Sequence, residues 1–150
     1  MMRERLATLR RIVGIYGVLE EVRTAELLRA ATAVYEVQQA IGGEENTARS
    51  ARTKARLALG EGDRVGRTVS EAQHLAAGVK RGRLEPIRQE RLALNDAARE
   101  QYLQSRLKRE QMERLIVRAE ELMSVEEARK TQVESDDRFL ARHWKTGHRG

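Results

Sequence analysis

Apolar residues recur along this chain at steps of three and four, the spacing of one face of an α-helix. Leu6, Leu9, Val13 and Tyr16 form one stripe, overlapped by Ile12, Ile15, Leu19 and Val22. The register then slips around Arg23–Glu26, and Leu27, Ala30, Val34, Val37 and Ile41 resume a heptad. Near the other end Met112, Leu115, Ala119 and Leu122 repeat the a/d rhythm of a coiled coil. The expected seam therefore comprises Leu27, Val34, Val37, Ile41, Met112, Leu115 and Leu122. Around it the run from Arg99 to Arg142 has neither Gly nor Pro and carries opposite charges four apart, such as Arg106 with Glu110 and Arg109 with Glu113.

Turn signals divide this helical pattern. Gly14 and Gly17 either admit a close partner helix or mark a frayed first segment. Gly42-Gly43 predicts a break near 42–46, with Asn46 or Thr47 capping a restart. Gly60, Gly62 and Gly66 predict a glycine-rich turn over 60–69, after which Thr68 or Ser70 caps the next helix. Gly78, Gly82 and Pro86 predict a kink or a restart near 82–86.

The expectation is one helical hairpin over 1–150. Its first arm covers 1–59 and its second 70–142, and a frayed tail occupies 143–150. A short connection joins antiparallel neighbours, so the fold class is all-α, an elongated antiparallel two-helix coiled-coil hairpin. Counting outward from the turn sets the first residues against roughly Leu122 to Phe139. That end would present Arg3, Arg5, Arg10 and Arg11 beside Glu134, Asp136, Asp137 and Arg138.

Composition agrees: 35% of residues are charged and 3% aromatic, the profile of long helices rather than a thick core. The net charge of +6 is unevenly placed. Eleven Lys/Arg stand against five acids between Asn46 and Leu92, and the remainder is neutral. Arg49, Arg52 and Arg56 share a helix face there, with Arg64 and Arg67 just beyond. Three readings of this basic stretch stand open: a solvated face, a dock for an acidic protein surface, or phosphate contacts to nucleic acid. No aromatics interleave with the arginines and no nucleic-acid-binding signature appears, which disfavours the last.

Chemical motifs are absent. The chain has no Cys, so thiolate metal sites and disulfides are excluded. His74, His143 and His148 lack acidic partners at ligand spacing and read as solvated. No phosphate-binding glycine motif occurs. The acid pairs Glu120-Glu121, Glu126-Glu127 and Asp136-Asp137 read as surface charge on a helix. No enzyme, cofactor or small-molecule substrate is expected. No apolar run reaches the ~20 residues of a membrane span, and a soluble cytoplasmic protein is the default.

The end of the last helix carries Glu127, Arg129, Gln132, Asp136 and Asp137, then Phe139-Leu140-Ala141-Arg142-His143. This resembles the FliJ/YscO family of type III secretion stalk proteins, whose last helix often ends E-x-R-x-x-Q-x-x-x-D-[DE]. The F-L-x-x-H ending is similar to that of the injectisome branch, and the specific match covers about the last third of the chain. The resemblance implies a non-enzymatic stalk whose terminal end, here Glu127, Arg129, Gln132, Asp136, Asp137, Phe139 and Leu140, contacts a hexameric export ATPase. The other end, with Arg49, Arg52, Arg56, Arg64 and Arg67, would meet the export gate protein, and export chaperones are possible partners. It further implies a cytoplasmic place at a bacterial secretion apparatus, with the membrane touched only peripherally through that apparatus. The alternatives are a basic coiled-coil nucleic-acid binder and a generic coiled-coil scaffold.

Overall fold

The protein is all-α, a helical hairpin of α1 (Met2–Glu61) and α2 (Arg64–Gly147). The structure, a computed structural model, describes residues 2–147. The chain divides into two compact units. One joins Met1–Glu20 to Ser105–Gly150, and the other is Glu21–Gln104. In both, the two helices run antiparallel and face each other through a narrow seam.

The turn shrinks to two residues, Gly62 and Asp63, where a glycine-rich stretch over 60–69 was expected. Gly62 N donates to Leu59 O at 3.3 Å and Asp63 N to Ala58 O at 2.9 Å, the paired bonds of a Schellman ending. Gly62 sits at φ 75°, which costs a residue with a side chain and costs glycine nothing. Asp63 also opens α2. Its Oδ1 accepts from Gly66 N at 2.9 Å and its carbonyl accepts from Arg67 N at 3.1 Å, which makes it the N-cap. A Cβ on Gly66 would strike the Asp63 carboxylate. Neither Thr68 nor Ser70 caps this helix; Thr68 Oγ1 donates to Arg64 O, and Ser70 is buried.

The break expected at 42–46 does not occur, because α1 is continuous from Met2 to Glu61. Thr47, a candidate cap, is mid-helix and donates its Oγ1 to Gly43 O. The reason lies in the seam. One register of less exposed residues runs the length of α1 in steps of four and three without interruption, with other half-buried residues flanking it: Met2, Leu6, Leu9, Val13, Tyr16, Glu20, Arg23, Leu27, Ala30, Val34, Val37, Ile41, Glu44, Ala48, Ala51, Ala55 and Ala58. Gly42 and Gly43 fall between these positions, so they weaken the helix by about 1 kcal/mol each without removing a seam contact. A Cβ on either meets nothing within 4 Å. Gly42→Ala and Gly43→Ala are therefore each expected to raise stability by about 0.5–1 kcal/mol, read as a higher urea midpoint with unchanged helicity.

The slip expected at Arg23–Glu26 is likewise no slip. Seam positions 20 and 23 hold Glu and Arg, so the apolar pattern disappears there while the heptad continues.

α2 runs unbroken through Pro86, so the expected restart is not found. Proline removes one helical donor and crowds the carbonyl four residues earlier. That carbonyl belongs to Gly82; both residues are exposed and lie off the seam, so the lost bond and the crowding fall on the solvent side of α2. The tail expected to fray over 143–150 is helical through Gly147; His148 and the two residues after it lie outside the described residues. No described helix is long and apolar enough to cross a membrane.

Candidate functional site

Charge inside the seam separates this hairpin from an ordinary leucine-rich coiled coil. In the Glu21–Gln104 unit, Arg23 bonds Gln101 Oε1 at 2.8 Å and Glu26 at 3.0 Å. Arg91 donates to the Ala33 carbonyl at 2.9 Å, and at the rim, outside the seam, exposed Arg81 pairs with Glu45 at 3.1 Å. His74 donates through Nδ1 to the Ala48 carbonyl at 3.0 Å. Asn95 Oδ1 is buried without a hydrogen-bond partner. Such polar layers cost stability but penalise alternative registers, which would bury them less well paired.

In the other unit, Arg109 is held by Glu20 across the seam and by Glu113 one turn along at 2.8 Å. The hydrogen bond to Glu20, then that to Glu113, pushes the Arg109 guanidinium above its ordinary value. It stays charged wherever the protein folds. Arg10 pairs with Glu120 at 3.1 Å on the exposed surface, where such a bridge contributes about 0–1 kcal/mol.

The expected seam residues divide. Val34, Val37 and Ile41 are buried, and Leu27 and Met112 are half-buried at seam positions. Leu115 and Leu122 are exposed, one position off the seam. Ile116 and Met123 take their places. The alternating steps of four and three that link Ser105, Arg109 and Met112 lead on to Ile116, Ala119 and Met123, but Ser105 and Arg109 are not apolar and leave no apolar register to read.

The basic residues near the turn form a surface rather than a pocket. Arg52, Arg56 and Arg67 line one shallow groove with Glu71, Leu59 and Leu75. Arg49 lines a neighbouring groove with Arg52, Glu44, Glu45 and Arg81. Arg64, the first residue of α2, lines neither. Arg67 is neutralised locally by Glu71 at 3.0 Å. The side chains of Arg49, Arg52, Arg56 and Arg64 make no ion pair with any described residue. Leu59 and Leu75, exposed beside these cations, were not expected as part of the surface; only the pairing of α1 with α2 sets them side by side. Unpaired guanidinium groups around exposed leucines fit an acidic surface with apolar anchors.

The second candidate surface is on α2. Every residue from Ser124 to Gly147 is exposed. Met2 and Arg3 border a groove with Met123, Glu126, Glu127 and Lys130, the near end of the expected range from Leu122 to Phe139. The surface expected to join Arg3 and Arg10 with Glu134–Arg138 is corrected accordingly: Arg3 lies near Glu126 and Glu127, and Arg10 bonds Glu120. Glu127, Arg129, Gln132, Asp136, Asp137, Phe139 and Leu140 all occupy this exposed helix. Gln132 donates to Asp136 Oδ1 at 3.0 Å, and Phe139 stacks on His143 with ring centroids 6.0 Å apart.

Among the described residues no cluster of His, Asp and Glu could hold a metal ion. No protein-family model matches the chain, and no curated protein or solved structure matches it either.

Proposed function

We propose that this chain is the non-enzymatic stalk of a type III protein-export ATPase complex at the cytoplasmic face of a bacterial secretion apparatus. It would link the ATPase ring to the export gate, with export chaperones as further partners. One observation carries the reading. The residues that resemble the FliJ/YscO ending lie on consecutive, wholly exposed turns of an already formed helix, so ring loops could reach them at no folding cost. Asp136, oriented by Gln132, and Asp137 would accept hydrogen bonds from basic groups of the ring. The unpaired arginines near the turn would dock an acidic gate or chaperone surface.

The test is stimulation of the export ATPase by the added protein. Asp136→Ala with Asp137→Ala is expected to weaken that coupling by about tenfold or more, the cost of losing charge-assisted hydrogen bonds. The circular dichroism spectrum should not change, because both side chains are exposed. Wild-type stimulation by this variant would reduce the two acids to solvated surface.

The other surface has its own assay. Arg49→Glu, Arg52→Glu and Arg56→Glu combined should weaken gate or chaperone binding by about tenfold or more at low salt, with helicity retained. Unchanged binding would remove the role assigned to the basic surface.

A further inference from the structure

The last three turns of α2 segregate their side chains in a way that the stalk reading does not use. Successive helical positions turn by about 100°. On that geometry Phe139, Leu140, His143, Trp144 and Gly147 share one half of the helix between Arg138 and Gly147. Arg138, Arg142 and Lys145 share the opposite half. No acid occurs after Asp137 in this segment. The apolar groups are well exposed: Phe139 is 67%, Leu140 62% and Trp144 69% accessible.

We propose that the turns from Arg138 to Gly147 form an interfacial helix that lies on an anionic lipid surface. Three features favour a bilayer over a protein groove. The apolar half is broad rather than a narrow stripe of anchors, and aromatic rings occupy it, as they do at the headgroup boundary. The opposite half carries Arg138, Arg142 and Lys145 and no acid, with Ala141 and Thr146 between them, and long Arg and Lys side chains can bend back towards anionic headgroups. Asp136 and Asp137 come immediately before, so repulsion limits the contact to these turns. The proposal stands without the stalk reading. Lipid and ATPase ring would compete for Phe139 and Leu140.

Trp144 is the sole tryptophan, so the full-length protein carries its own probe. Vesicles of phosphatidylglycerol mixed with phosphatidylcholine should shift its emission to the blue and carry the protein down on centrifugation. Binding to vesicles of phosphatidylcholine alone should be at least about tenfold weaker, and added salt should weaken binding to the anionic vesicles. Phe139→Ser with Leu140→Ser should abolish sedimentation, as should Arg138→Glu with Arg142→Glu and Lys145→Glu. Both variants should keep the wild-type melting curve, because none of these residues is in the seam. An unshifted emission with anionic vesicles would overturn the proposal, as would equal binding to neutral ones or full binding by either variant.

Discussion

Ile41→Ala is expected to lower stability by about 2–3 kcal/mol, at the low end of core truncations because the seam is one side chain thick. Ile41 is 8% exposed and stands between Val37 and Glu44 in the heptad of α1. Leu28→Ala removes a similar amount of hydrocarbon from a residue 68% exposed and should change stability by less than about 0.5 kcal/mol. Urea denaturation of the two variants separates the seam from the rest of the apolar pattern. Equal effects would mean that Ile41 is not buried against α2. The comparison also bears on helix continuity, since Ile41 immediately precedes Gly42-Gly43 and would lie at a frayed end if α1 stopped there.

Gly62→Val should be nearly as damaging, at about 2 kcal/mol. A left-handed φ costs an L-residue about 1–2 kcal/mol, and β-branching adds to it. Gly62 alone among the described residues has a positive φ, and both Schellman bonds depend on it. Gly60→Ala provides the contrast. Its Cβ meets nothing within 4 Å, and an ordinary helical φ makes alanine neutral or slightly stabilising there. A thermal melt in which Gly62→Val matched wild type would show that some other feature closes the hairpin. Asp63→Ala, which removes the cap on α2, should cost about 1 kcal/mol by the same measurement.

Glycine carried opposite meanings at neighbouring places in this chain, and its local sequence does not distinguish them. Gly62 ends a helix because both backbone bonds and φ demand it. Gly42, Gly43, Gly78 and Gly82 sit inside helices and off the seam, where packing of the opposite face outweighs about 1 kcal/mol of propensity each. Pro86 is tolerated for a related reason, because it is exposed and lies off the seam, so the opposite face of α2 keeps its packing. Breaker residues were therefore legible as weak points and misleading as boundaries.

The candidate surfaces were legible to different degrees. Arg49, Arg52 and Arg56 stand out by charge density alone. Leu59 and Leu75 do not, because exposed leucines become part of a basic groove only when α1 and α2 lie side by side. The run from Glu127 to Leu140 was readable as a charged helix, but its exposure was not. Exposure depends on which residues of the opposite helix lie alongside, and Met2 is level with Met123.

Local chemistry in the sequence was enough to determine the all-α class, two helical arms, an antiparallel return near Gly62 and the placement of excess positive charge. These follow from propensity, periodicity and turn residues, which act over a few positions. Which polar residues join the seam, and that Ile116 and Met123 rather than Leu115 and Leu122 complete it, was decided only by the tertiary structure. Glu20, Arg23, Arg91, Asn95 and Arg109 occupy positions that an apolar count skips, and they are tolerated because most find partners on the opposite helix. A pairing between residues as distant in sequence as Glu20 and Arg109 leaves no local periodicity to read, so the continuous heptad appears only once both helices are in place.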